Sequence, residues 1–466
     1  MHSYKCHYFV QFMSEAHLSR KISLLQASAI NMIDMVGIGP FVTMPLVIGA
    51  MNGPACLIAW LLGALLAFCD GFVWAELGAK WPEAGGSYAF LKKLFGEKKW
   101  GSLFSFLYIW QTTIQAPLVI ASGAIGFAEY FSFLIPLDDV QRKLVSGGLI
   151  MLLTFLLYRR VSDVGKISVA LWIGVIITLL WLIVAGFTHF NFHQAFDFSS
   201  GNIGFSALFF AGLGQASVKT IYSYLGYYNV CHLGSEINNP EKNIPRSIFI
   251  SIAGISILYL LMQTSVLGVI PWQEAKGSRF LVSTFFERIY GPASAKIATL
   301  LILWIALASL FAVILGYSRV PYAAAVDGNY FSVFKKAHKT KHFPHASLLI
   351  LCSVAFVFAF LFPLKELISA IVIIRILIQF ISQAIGVILL QRKKEQLPFK
   401  MWLFPLPAIF AIAIWIFVFC TAEKRFIFYA FLVIASGALL FLFRAKRKNE
   451  WPFVVSDQNG VINKSR

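Results

Sequence analysis

The chain has 466 residues, of which 59% are hydrophobic and 13% charged, and its net charge is +18. Soluble domains run at about 45–50% apolar and about 25% charged residues, so a water-soluble fold could not hide this much apolar surface, whereas a bilayer does not require it to be hidden. The Lys and Arg residues cluster in short loops between apolar runs and form no sustained basic face; this excludes nucleic acid as a partner and fits loops that orient membrane helices.

In chain order, residues 1–21 are polar and aromatic, with no apolar run long enough for a signal-peptide core. Apolar runs sufficient for a helix of about 20 residues follow near 22–48, 54–78, 100–134, 143–158, 165–187, 204–234, 246–270, 295–317, 345–363, 366–390, 401–421 and 425–443. This predicts an all-α integral membrane fold of about twelve transmembrane helices. With both termini cytoplasmic, Lys and Arg are about three times as frequent in the cytoplasmic loops as in the outer ones. The expected location is therefore the inner (cytoplasmic) membrane, multi-pass, with both ends inside. No soluble domain interrupts the series. The organisation expected is a cytoplasmic segment 1–21, a core 22–390, two additional helices within 391–443 and a polar cytoplasmic tail 444–466.

Two spans carry helix-breaking residues at mid-membrane. The first reads Asp34-Met35-Val36-Gly37-Ile38-Gly39-Pro40, and the sixth reads Tyr222-Ser223-Tyr224-Leu225-Gly226-Tyr227-Tyr228, with a weaker signal at Gly226. Unwound backbone is tolerated in hydrocarbon only where it lines a cavity or is buried in protein. Breaks five spans apart suggest a five-plus-five inverted repeat, roughly 22–187 and 204–390. Helix starts at such breaks attract a carboxylate and helix ends attract an ammonium, and an amino acid has both.

Four ordered motifs resemble the amino acid–polyamine–organocation superfamily of transporters. They are Gly37-Ile38-Gly39-Pro40-Phe41 with Pro45; Ala75-Glu76-Leu77 followed by Pro82 and Gly85-Gly86-Ser87-Tyr88; Glu236 followed by Asn239-Pro240, Lys242 and Ile244-Pro245-Arg246-Ser247-Ile248; and Ser318-Arg319 followed by Tyr322-Ala323 and Asp327-Gly328. The resemblance implies two broken helices, 1 and 6, in an inverted repeat with two C-terminal helices added, and secondary transport of amino acids or amines. It also implies that Tyr222, four residues before Gly226, is an aromatic gate. The sequence departs from the family where Pro40 replaces an Ile or Val, where residues 168–185 lack lysine, and where the Ala306–Ser309 stretch of the eighth span offers one hydroxyl, Ser309, instead of a pair. These departures leave the coupling ion open, with a proton as the candidate.

The expected substrate-binding residues are Val36, Gly37, Ile38, Gly39, Gln115, Ser223, Tyr224, Gly226 and Tyr227, with Tyr222 as gate and Asp34 as the coupling candidate. The substrate carboxylate is expected near the amides of Ile38 and Gly39, and its ammonium near the carbonyls of Ser223 and Tyr224. Arg375, Gln379 and Gln383 form a polar stripe on one face of the tenth span, which reads as structural. Glu76 and Glu236 read as loop anchors. The spans contain no metal-ligand cluster, nucleophile elbow or phosphate loop, so no enzyme, metal or cofactor is expected. A polyamine carrier and a non-transporting sensor on the same fold are the alternatives. The expected partners are a small-molecule amino acid or amine, the lipid bilayer and a second copy in a homodimer.

Overall fold

Ser23 starts the first helix with a capping box: its hydroxyl accepts from the Gln26 amide while the Gln26 side chain accepts from the Ser23 amide. From there the chain is helical almost throughout. The computed structural model describes residues 20–447 except 98, 159–160, 199–205, 339, 342 and 394; most of the expected N-terminal segment and the tail from 448 lie outside the described residues.

The principal helices are α1 (Leu24–Met35), α2 (Gly39–Met51), α3 (Cys56–Lys80), α4 (Ser87–Leu94), α5 (Trp100–Leu134), α6 (Asp139–Leu157), α7 (Val161–Thr188), α8 (Ala207–Tyr224), α9 (Pro240–Val269), α10 (Leu281–Tyr290), α11 (Pro292–Tyr317), α12 (Arg319–Val326), α13 (His345–Leu361), α14 (Leu364–Arg375), α15 (Ser382–Arg392), α16 (Leu406–Thr421) and α17 (Lys424–Arg447). Among the described residues, eight helices are long and apolar enough to cross a membrane, or nine if α1 and α2 are one bent span. α13 and α16 are apolar but shorter. Helix length thus establishes a multi-pass membrane protein without fixing the count at twelve.

Counterpart spans pack on each other: α2 against α8, α3 against α9, α5 against α11 and α6 against α13. The fifth span, α7, touches α1 and α11, while the tenth span, opening with α14, touches α8 and α5. Exchanging the first five spans for the next five therefore preserves the contact pattern, as an inverted repeat requires.

Both breaks are present. α1 and α2 meet at 45° across Val36–Ile38. Pro40 sits in the first turn of α2, where its missing N–H has no intrahelical partner to lose. The break in the sixth span is the larger one. α8 stops at Tyr224, Gly226 adopts φ +125°, and only short turns at Asn229–His232 and Gly234–Glu236 follow before α9. A third irregularity was not expected from the sequence: the tenth span widens into a π-helix at Ile376–Ile381, between α14 and α15. There the Ser382 hydroxyl donates to the Leu377 carbonyl five residues back. Such bulges frequently mark functional positions.

At the end of the bundle where α3 and α11 finish, the motif segments lock together. The Gly85 amide donates to the His232 carbonyl, and the Tyr88 hydroxyl donates to Asp327 at 3.1 Å. Arg319 donates to Glu236 at 3.1 Å with both side chains buried. Glu76 accepts from the Met401 amide and from Gln391, tying down the loop that precedes α16. α17 runs past the expected end of its span because Arg444 donates to the carbonyls of Gly328 and Asn329.

Candidate functional site

The two breaks cross at mid-bundle and leave a cavity between them. Its walls are Asp34, Met35, Ile38 and Gly39 from the first span, Val119 and Gly123 from α5, and Tyr222, Ser223, Leu225, Gly226 and Tyr228 from the sixth span. Ala306, Ser309, Leu310, Val313 and Tyr317 from α11 and Ile371 and Arg375 from α14 complete it. Water centres can occupy about 60 Å³ of it. That is room for a few waters, so a bulky ligand requires the walls to move.

Close backbone contact builds the site. A Cβ on Gly37 would lie 2.5 Å from the Ser309 hydroxyl, and one on Gly226 would lie 2.7 Å from the Met35 nitrogen. Glycine at these points lets the first span touch the eighth and the sixth. α1 ends and α2 begins at the cavity wall, so the first amides of α2 have no intrahelical acceptors, and the wall carries partial positive charge there. The opposite requirement, for donors to the last carbonyls of α1 and α8, is met in part by Tyr259 of α9, whose single O–H donates to one carbonyl at a time. Its hydroxyl lies 2.7 Å from the Met35 carbonyl and 3.1 Å from the Ser223 carbonyl. One buried hydroxyl thus bridges both breaks. Nothing in a linear reading of α9 distinguishes Tyr259 from a packing aromatic.

Two opposite charges face the cavity. Asp34 is half-buried, and the Arg375 guanidinium and the Asn229 side chain act on its carboxylate. Arg375 is 1% exposed. It donates to Gln379 at 2.8 Å and to the Tyr228 hydroxyl, and lies 5.1 Å from the centres of the Tyr228 and Phe380 rings. No carboxylate is within ion-pair distance of it among the described residues. Gln379 in turn donates to Ser87 at 3.2 Å. The polar stripe read as structural therefore runs from the cavity to the second motif, and its first member is a cavity wall.

Side chains narrow the cavity on both sides. Tyr222 pairs with Ser122 of α5 at 2.9 Å on the side where α8 begins. On the other side stand Tyr228, Arg375 and Tyr317, and beyond them the buried Arg319–Glu236 pair.

Of the residues anticipated from sequence, Asp34, Ile38, Gly39, Tyr222, Ser223 and Gly226 line the cavity. Val36, Gly37, Gln115, Tyr224 and Tyr227 stand outside the lining. Val36 and Gly37 form the turn itself. Gln115 donates weakly to Tyr317 at 3.4 Å. Tyr224 packs edge-on between Trp60 and Tyr259, and the Tyr227 hydroxyl is 2.5 Å from the buried Asp70 carboxylate, which also accepts from Trp74. Arg375, Tyr317, Tyr259 and Asp70 are the polar groups that sequence reasoning left aside or placed elsewhere.

Comparison with known proteins agrees with this geometry. A family model described as amino acid permease matches residues 22–453. An uncharacterized amino acid permease of Bacillus subtilis (strain 168) is 26% identical over 337 residues, covering 72% of this chain and 76% of its own. The serine/threonine exchanger SteT of the same organism is 25% identical over 402 residues, covering 85% and 89%. The human cystine/glutamate transporter is 26% identical over 415 residues, covering 85% and 79%. A match over nearly the whole length, with both breaks and all four motifs inside it, means that the chain belongs to the amino acid permease family and is a secondary transporter of amino acids, not an enzyme.

Proposed function

We propose that the protein carries a zwitterionic amino acid by alternating access through the cavity at the crossed breaks. The substrate carboxylate sits at the start of α2, against the amides of Ile38 and Gly39, and its ammonium faces Asp34. The observation that carries this reading is the pairing of a helix start with one carboxylate on the wall of one cavity. The single Tyr259 O–H serves the Met35 or the Ser223 carbonyl, and the ammonium is assigned to the charged Asp34 side chain on the wall rather than to the Ser223 and Tyr224 carbonyls.

Arg375 supports a zwitterion over a polyamine. A polyamine needs two or more carboxylates, while the cavity wall offers Asp34 alone, with a guanidinium close by. Tyr222 acts as the gate toward the side where α8 begins, and that side is the outside if both termini are cytoplasmic in the inner membrane. Asp34 takes up the coupling proton when the substrate leaves. Residues 22–187 and 204–390 are the two repeats, and the transporter is a homodimer.

Reconstituted proteoliposomes test this. Internal unlabelled amino acids are expected to drive uptake of labelled ones, and an inward proton gradient is expected to raise accumulation. Failure of every amino acid to exchange would reject the substrate assignment. Exchange without any effect of the gradient would reject proton coupling alone.

A further inference from the structure

A second cavity lies far from the substrate site, on the lipid-facing side between α6 and α13. It is lined by Ile150, Met151, Thr154, Phe155 and Tyr158 on one helix and by Leu349, Cys352, Ser353, Phe356 and Val357 on the other. Its volume, on the same measure, is about 620 Å³, ten times that of the substrate cavity. The two helices touch where a Cβ on Gly147 would lie 2.6 Å from the Phe356 ring. The groove runs eight residues along each helix, about 12 Å at 1.5 Å per residue. One leaflet of a hydrocarbon core is about 15 Å deep. The apolar walls therefore match a single leaflet, and Phe155 and Met151, 73% and 62% exposed, stand open to it.

The mouth of the groove has a different chemistry. Tyr158 closes the apolar part, and basic groups surround it. The Lys341 ammonium donates to the Tyr158 carbonyl at 2.8 Å and sits 4.7 Å from its ring centre. The His338 ring is 5.5 Å from Tyr158 and 5.9 Å from His345. Lys336, exposed, is close enough to act electrostatically on His345. From Gly328 to Leu364 the sequence has four Lys and no Asp or Glu. Neither Lys336 nor Lys341 is in an ion pair among the described residues. General attraction of positive loops to one face of the membrane explains a positive loop. It does not explain why that charge is gathered at the open end of a leaflet-deep apolar groove.

We propose that this groove is a binding site for one anionic phospholipid, with an acyl chain between α6 and α13 and the phosphate at Lys336 and Lys341. The lipid comes from the leaflet on the side of the loop that joins α12 to α13. The site is independent of the transport reading, because no residue of one lines the other.

Native mass spectrometry of the full chain released from nanodiscs tests it, with phosphatidylglycerol and phosphatidylcholine as equal-concentration probes. Wild type is expected to retain one phosphatidylglycerol in preference to phosphatidylcholine. Each of Lys336→Ala and Lys341→Ala is expected to weaken that preference roughly fivefold, and Lys276→Ala, in the loop before α10, to leave it unchanged. Ser353→Trp, which fills the groove from an exposed position, is expected to displace the lipid while both lysines remain. Melting in phosphatidylcholine alone checks that each variant is folded. Equal retention of the two lipids by wild type, or a full preference persisting in the double lysine variant, overturns the proposal. So does a dimer cross-linked through Phe155→Cys, because a second copy would then cover the groove.

Discussion

Gly226 and Asp34 meet where the two broken spans cross: a Cβ on Gly226 would stand 2.9 Å from Asp34 Cγ. The glycine has φ +125°, so both its backbone and its surroundings exclude a side chain. The residue that opens the sixth span is thus also the floor beneath the one carboxylate of the cavity. Any movement of the sixth-span break must move against Asp34.

Gly226→Ala is therefore expected to cost about 1–3 kcal/mol from backbone strain and to abolish transport by displacing the end of α1. A melting curve in detergent and an exchange assay check the two effects. Full activity with an unchanged melt would show that the breaks are not in contact.

Tyr259→Phe removes the hydroxyl that reaches the Met35 and Ser223 carbonyls while keeping the ring between Trp60 and Tyr224. Leaving the carbonyl that the single O–H serves without a donor is expected to cost about 1–3 kcal/mol. Transport should fall more than binding, because the bridge holds the relative placement of two moving half-helices. Thermal stability, substrate Kd and exchange rate, measured together, separate these effects.

Asp34→Asn keeps the size of the side chain and removes its charge. With the ammonium facing Asp34, affinity is expected to fall about ten- to hundredfold, the scale of a charge-assisted hydrogen bond of about 1.5–3 kcal/mol. Thermal-shift titration with amino acids measures this. Unchanged affinity, together with loss of gradient-driven accumulation, would leave Asp34 a proton site only.

Tyr222→Ala removes both the ring and the bond to Ser122, and is expected to open the cavity toward the side where α8 begins. A cysteine placed by Ser122→Cys, in a chain whose native cysteines are replaced, should then react with a membrane-impermeant thiol reagent several-fold faster than with Tyr222 present. Tyr222→Phe, which keeps the ring, should leave the rate nearly unchanged.

Glu236→Gln leaves the Arg319 guanidinium buried without its charge partner, since the two side chains are 1% and 4% exposed. A loss of about 3–5 kcal/mol is expected. Arg319→Met together with Glu236→Gln should recover part of it, because the buried charge is then gone. Melting temperatures of the three forms test this.

Membrane class, the order of the helices and the places where two of them break were all legible in the linear chain. They depend on composition, on runs of apolar residues, and on local rules for Gly and Pro that act within a turn or two. GIGP marked the first break strongly because several of those rules coincide there. Gly226, a lone glycine, marked the larger break only faintly, since its φ is set by contact with Asp34 and Met35 from another span. Which polar residues face the cavity was decided by packing alone. Gln115 and Tyr227 turn to Tyr317 and Asp70, while Arg375 turns inward beside a π-helix that no sequence rule announced. Tyr259 takes on its bridging role only when spans six, one and seven are brought together. A helix face is defined by its neighbours, and one of the two here, Met35, lies 224 residues away in the chain.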